Sequence, residues 1–346
     1  MTRTIELGLD TFGDATVDDA GHDLSQAQAI RDVVTQAELA DQLGLAFFGV
    51  GEHHRPDFSV SAPEVVLAAI AARTSRIHLG SAVTVLSTDD PVRVFERFST
   101  LNAISNGRAE VIVGRGSFTE SFPLFGYDMA NYEALFEEHL ELFAQLLRQG
   151  PITWQGRLRA PLDDARVYPP TEGTLTTWVG VGGSPQSVVR AARYGFPLML
   201  AIIGGNPSRF ASYSQLYLEQ LQRFEKPVQP IGIHSPGHVA DTDEQAKEEL
   251  WPHYAGLMNR IGAERGWAPI GRDHFEREAR HGALFVGSPG TVAARIAETV
   301  TALRLSRFDL KYANGTMPHA KLLKSIELYG TKVAPLVREA LAHTPD

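Results

Sequence analysis

The sequence predicts an α/β fold, and within that class a (β/α)8 barrel with insertions. Three observations carry this expectation. Eight short runs read as strands, and each is followed by a run whose apolar residues recur at helical spacing. The strand runs are continuously apolar rather than alternating, which marks parallel strands covered by helices. The length of 346 residues suits one barrel with insertions, and no linker divides the chain, so one domain over 1–346 is expected. Eight such units close most economically into a barrel. An open doubly wound sheet is the alternative arrangement.

The first strand is expected over residues 5–12. An Asp/Gly-rich loop leads to Ser25, which caps a helix carrying Ala27, Ile30, Val34, Ala37 and Ala40 on one side. The second strand covers 46–50. Ser61-Ala62-Pro63-Glu64 then has capping-box character and opens the next helix. A third strand spans 77–86, with a helix start at Asp90-Pro91, and a fourth spans 109–113, followed by a helix over 132–147. The second half repeats the pattern. Strands are expected at 176–181, 198–203, 228–234 and 308–313, and helices start at Ser184-Pro185, Asn206-Pro207, Asp243 and Ser288-Pro289, before a closing helix over 318–342. Four of these starts pair Ser, Asp or Asn with Pro. The polar side chain caps, and proline suits the first helical position, where no N–H is needed.

Three connections exceed ordinary lengths: 117–131, 150–173 and 266–285. The first and third follow strand ends and are expected on the active face, as walls or a lid carrying Trp267, His274, Phe275 and His281. The second follows a helix and is expected on the opposite face.

With 43% hydrophobic and 21% charged residues, long disorder is not expected. The net charge of −9 argues against nucleic-acid or anionic-membrane partners. The absence of cysteine rules out disulfides, thiolate metal sites and a Cys nucleophile, and fits a reducing compartment. No apolar run has signal-peptide or membrane-span length. A soluble, cytoplasmic protein is the expectation.

Four stretches carry candidate chemistry. Gly51-Glu52-His53-His54-Arg55-Pro56 closes an apolar strand in polar residues. Adjacent strand residues point to opposite faces, so a two-histidine metal site needs a turned chain, and no HxH or HExxH pattern is present. One functional histidine and one packed neighbour is the expected reading, with no metal. In Gly182-Gly183-Ser184-Pro185-Gln186-Ser187 a strand runs into glycines and a helix N-terminus. Free N–H groups and two hydroxyls could hold a phosphate there; an ordinary capped turn is the alternative. Pro185 stands where a dinucleotide fingerprint needs glycine, against a Rossmann dehydrogenase. Gly114-Arg115-Gly116-Ser117 exposes an arginine suited either to phosphate or to an ion pair with Glu52. Gly80-Ser81-Ala82-Val83 puts small residues mid-strand, where a flat ligand can approach the backbone. Glu110, Glu120 and Glu133 are expected to be solvated or paired.

Taken together, these stretches resemble the bacterial luciferase-like family of flavin-dependent oxidoreductases over nearly the whole chain. The likeness is densest at 50–54, 79–96, 107–126 and 179–193, and returns at 282–289. The resemblance implies the (β/α)8 barrel, commonly as a homodimer. It places His53 as the active-site histidine, and Ala82 and Val83 as a non-proline cis pair against the flavin ring. Arg115, Ser117, Gly183, Ser184 and Ser187 match positions that hold the FMN phosphate. The implied activity is an FMN-dependent monooxygenase. Reduced flavin, supplied by a separate reductase, would act with O2 on a small organic substrate, with His53 managing a proton near neutral pH. A deazaflavin-dependent alcohol or aldehyde oxidoreductase and a non-catalytic flavin binder are the alternatives. Gly114 stands where luciferases carry a reactive cysteine, so light emission is not implied.

Overall fold

The computed structural model describes residues 5–343. The strands in chain order are β1 (Glu6–Thr11), β2 (Phe47–Val50), β3 (His78–Ser81), β4 (Thr84–Val85), β5 (Ala109–Gly114), β6 (Ile152–Trp154), β7 (Leu162–Ala165), β8 (Thr176–Val181), β9 (Leu198–Ala201), β10 (Ile231–Val239), β11 (Phe285–Gly287) and β12 (Arg307–Lys311). Parallel pairing runs β12-β1-β2-β3-β5-β8-β9 and returns through β10 to β12, closing an eight-strand barrel in which β4 continues the β3 position. The ring is closed and parallel, and helices surround it. The open-sheet alternative is excluded.

Residue parity divides the barrel into two cores. Leu7, Leu9, Phe48, Val111, Val179 and Phe308 face outward into the shared core with the helices. Phe47, Ile112, Trp178 and Met199 fill the interior as a separate cluster. Below them lies Arg307, fully buried, with Nη1 2.7 Å from Glu110 Oε2 and Nε 3.0 Å from Asp309 Oδ2. Its guanidinium lies 3.4 Å from the Phe47 ring centroid. One guanidinium cannot neutralise two buried carboxylates. Glu110, which also accepts from Trp178 Nε1 and pairs with His78, stays ionised with a pKa held to about 2, against the cost of its burial. Asp309 is pushed up to about 7 by burial.

The polar helix starts behave as their residue types require. Ser25, Asp90, Ser184, Asn206 and Thr242 each accept a backbone N–H of the first turn. Ser288 does not; Asp243 instead accepts from Ser288 N at 2.6 Å and from Thr291 Oγ1 at 2.9 Å. Ser61 is no capping box either, because the N-cap position falls on Ala62 and no side chain caps it.

Other boundaries differ for tertiary reasons. The third strand breaks at Ala82-Val83, whose peptide is cis, and resumes as β4 against β5. The seventh begins only after Pro230 and runs past the barrel, because Gly237–Val239 pair outside the ring with β11. The closing helix is interrupted by a π turn over Tyr329–Val333, where a Cβ on Gly330 would lie 2.8 Å from Leu43 Cβ. The 150–173 insertion forms a β6-β7 hairpin that packs along the outer helices, with its two ends joined through Gln149 and Thr171 and Glu172 N bound to Asn102 Oδ1. Glu138 accepts the backbone N–H groups of Arg157, Leu158 and Arg159, and Arg159 reaches Asp90. The 266–285 segment holds a helix, Arg272–His281, that docks on the outside of helix Asp243–Glu264 through Phe275, Trp251 and Tyr254. The end of the preceding helix reaches the mouth, where Glu264 accepts from Arg55 and Arg265 donates to the Ser117 carbonyl and lies over Phe118. Among the described residues, no helix is long and apolar enough to cross a membrane.

Candidate functional site

The mouth at the carboxyl ends of the strands has two unlike walls. On the β2-β3-β5-β8 side, glycines bring backbone up against the cis pair. A Cβ on Gly49 would lie 2.9 Å from Ala82 Cβ, on Gly114 2.8 Å from Val83 Cγ2, and on Gly180 3.0 Å from Val83 Cγ1. Ala82 and Val83 are themselves partly exposed to the mouth. A Cβ on Gly114 would crowd Val83, with Cγ2 at 2.8 Å, Cβ at 3.2 Å and Cγ1 at 3.3 Å. On the β1-β10-β12 side, the lumen-facing positions are Asp10, His234 and Lys311.

His53 leaves β2 and enters an aromatic cage, with ring centroids 4.4 Å from Phe12, 4.5 Å from Phe58 and 5.4 Å from Phe118. Burial, with the nearby charge of Lys311, lowers its pKa to about 3. The imidazole is therefore neutral near pH 7, and the expectation that it titrates there is corrected. His54 turns the other way, with Nε2 3.0 Å from Glu52 Oε1 and its ring edge-on to Phe125. The two imidazoles do not converge, and no cluster of three or more metal-ligating side chains occurs among the described residues. Glu52 does not reach Arg115. Its Oε2 accepts Val85 N at 2.8 Å, so it braces the chain just beyond the cis pair.

Arg115 lies at the end of β5 and donates to Ser187 Oγ at 3.2 Å and to Glu133. Ser184 caps the helix that Ser187 enters, and the Gly183 carbonyl, in a positive-φ turn, accepts from Tyr213. Arg190, one turn beyond Ser187, approaches both Ser187 Oγ and Glu133 at 3.4 Å. The structure thus brings Arg115, Ser184 and Ser187 together. Ser117 joins none of those hydrogen bonds; its carbonyl accepts from Arg265 across the mouth. Glu133 and Arg190 were not picked out as partners of the site. The i,i+3 spacing of Ser187 and Arg190 on a helix was the available signal.

Over the mouth, Phe118 lies between two guanidiniums, with Arg55 at 4.5 Å and Arg265 at 4.9 Å from its centroid. Arg55 ties three segments together, donating to Glu120, to Asp57 at 3.1 Å and to Glu264 at 2.7 Å. Glu120 and Glu133 are paired, as expected.

The sequence model of the family described as luciferase-like monooxygenase matches residues 11–306. The chain belongs to that family. This luciferase-like chain is 28% identical over 325 residues to the 4-hydroxyprotoasukamycin monooxygenase of Streptomyces nodosus subsp. asukaensis, covering 86% of this chain and 84% of that protein. It is 27% identical over 351 residues to an alkanal monooxygenase alpha chain of Photorhabdus luminescens, covering 91% and 93%. Among solved structures, monooxygenase RslO1 from Streptomyces bottropensis superposes with a TM-score of 0.82 at 24% identity, covering 96% of this chain and 99% of that one. The FMN-complexed oxygenating constituent of 3,6-diketocamphane monooxygenase from Pseudomonas putida has a TM-score of 0.79 at 19% identity, with the same coverages. A tetrahydromethanopterin reductase from Methanopyrus kandleri that depends on a deazaflavin coenzyme has a TM-score of 0.74 at 17% identity, again covering 96% and 99%. The two families of cofactor occur on one fold. The protein is an oxidoreductase of the luciferase-like monooxygenase family.

Proposed function

We propose that this protein is an FMN-dependent monooxygenase that uses reduced flavin and O2 to oxidise a small organic substrate. One placement carries the reading: the anion grip and the cis-pair wall are built on the same two strands. Gly114 of β5 and Gly180 of β8 abut Val83, and Arg115 and Ser187 follow those two strands directly. A ligand with a flat ring and a phosphate tail matches that spacing of surfaces. The chemistry of the donor set fits as well. Arg115, Arg190, Ser187 and the N–H groups at the start of helix Pro185–Tyr194 are all suited to a dianion. Glu133, with its side chain 63% exposed, now pairs with both arginines, and a phosphate would take its place.

When bound, reduced flavin with O2 supplies the oxidising equivalent. The protein's own residues do the rest. Arg115, Ser187 and Arg190 hold the phosphate. Ala82 and Val83, braced through Glu52, would back the ring. The neutral His53 offers a ring N–H as a hydrogen-bond donor instead of an acid. Phe118, held by Arg55 and Arg265, excludes water from above. Reduced flavin delivered by a separate reductase, a homodimeric assembly and a cytoplasmic location belong to the same reading.

Titrations of FMN, riboflavin and a deazaflavin, followed by fluorescence, test it. Arg115→Ala is expected to weaken FMN about 10- to 100-fold, the range for charged hydrogen bonds, and to leave riboflavin nearly unchanged. Equal loss for both flavins rejects the phosphate grip. Deazaflavin binding without O2 consumption would move the reading to hydride transfer on the same scaffold.

A further inference from the structure

The wall opposite the cis pair holds a second acid–imidazole set that the reading above leaves unused. His234 Nδ1 lies 2.6 Å from Asp10 Oδ2, joining β10 to β1 across 224 residues of sequence. Asp10 is only 1% exposed, and its other oxygen, Oδ1, has no hydrogen-bond partner among the described residues. A buried carboxylate with an orphaned oxygen is costly in a site made only for packing. The His234 ring stacks on Phe12 at 5.8 Å and 18°, and Phe12 separates it from His53.

The two imidazoles are held differently. His53 sits among aromatic rings, and no side-chain hydrogen bond orients its nitrogens among the described residues. His234 is anchored: a carboxylate at Nδ1 places the proton there and leaves the lone pair on Nε2. Nε2 makes no hydrogen bond among the described residues, and the side chain is 12% exposed, toward the mouth. The other charged groups facing this position are accounted for. Lys311 is 3.0 Å from Asp14 Oδ2, and Asp309, the β12 partner of His234 in register, is bound to Arg307.

We propose that His234, oriented by Asp10, is the proton acceptor of the site, and that the substrate carries an acidic O–H, as in a phenol or an enol, next to the carbon to be oxidised. This rests on the flavin occupying the Ala82-Val83 wall, which leaves the His234 wall to the substrate. In the step, the substrate O–H bond breaks and its electron pair stays on the oxygen. The proton passes to His234 Nε2, and the Asp10 carboxylate balances the imidazolium formed. The oxyanion enriches the neighbouring carbon in electrons, which suits it to accept oxygen.

The test uses 4-nitrophenol, whose anion absorbs visible light and whose neutral form does not, titrated into the FMN-bound and the flavin-free protein below the probe's own pKa. The wild type is expected to bind the probe as its anion, giving more phenolate absorbance than free probe at that pH. His234→Gln should reduce anion binding at least about tenfold, one pKa unit of lost stabilisation, while FMN affinity read by flavin fluorescence holds. Asp10→Asn, which removes the counter-charge but keeps the imidazole, should lose the anion similarly and serves if His234→Gln does not fold. No ionisation by the wild type, or equal ionisation by wild type and both variants, overturns the assignment. Failure of the wild type to bind FMN would reject the flavin reading alone, since the flavin-free titration still reports on His234.

Discussion

At the scale of single residues, the environment of His53 decides what that side chain can do. Its type and position at a strand end were legible in the sequence; its charge state was not. Phe12, Phe58 and Phe118 come from three separate segments and together strip the imidazole of water. The folded pKa of about 3 lies below the ordinary 6.5, so between these values the unfolded chain binds the extra proton. The stabilisation is complete above pH 6.5 and is lost as pH falls toward 3. Between pH 7 and pH 5 this group is expected to cost the wild type on the order of 2 kcal/mol. His53→Leu should remove that component. Urea unfolding of both proteins at the two pH values measures it as a difference, because Asp309, pushed up to about 7, protonates in the same window with the opposite sign in both proteins and cancels. Identical acid losses in the two proteins would show that His53 is not the group responsible.

At the scale of elements, the mouth is closed by a junction of parts distant in the chain. Arg55 follows β2, Phe118 and Glu120 follow β5, and Glu264 and Arg265 end the long helix Asp243–Glu264. The sequence pointed to 117–131 and 266–285 as walls or a lid, because both segments follow strand ends; Phe118 and Glu120 of the first lie at this junction. Of the 266–285 segment, Trp267 stays beside Arg265 at the mouth, with the guanidinium 5.2 Å from its ring, and helix Arg272–His281 packs farther out. Apolar contacts at Phe275 hold the helix of that segment against helix Asp243–Glu264. Arg55→Met should loosen this junction. Amide exchange over residues 117–125 is expected to speed up, with global stability falling by on the order of 1–2 kcal/mol, since two of the three carboxylates remain partly hydrated. Unchanged exchange in that segment would mean that Phe118 is held without Arg55.

At the scale of the whole molecule, the barrel is plugged by charge as well as by apolar side chains. Arg307 on β12 meets Glu110 on β5, strands that do not pair with each other. Arg307→Met would leave Glu110 and Asp309 buried together without a cation and is expected to cost about 3–5 kcal/mol. Adding Glu110→Gln and Asp309→Asn should recover most of that loss. Thermal or urea melts of the single and triple variants check both statements, and a single variant as stable as wild type would remove this network from the account of stability.

What the sequence determined by itself is what short-range physics controls. Apolar runs, helical spacing and Ser/Asp/Asn-Pro starts specify elements within a few residues of each other, and eight β/α units in a row leave few ways to close. The glycines around Ala82-Val83 and the Arg115, Ser184 and Ser187 set were likewise visible as types in order. The tertiary structure decided which side chains meet. Asp10 and His234 are 224 positions apart, and Arg307 and Glu110 are 197 apart; each pair exists only because ring closure and strand parity turn both members into one lumen. A polar residue inside an apolar strand was the one sequence signal for them. Its partner, and the burial that sets its protonation, follow from register around the whole barrel, which no local window of the chain contains.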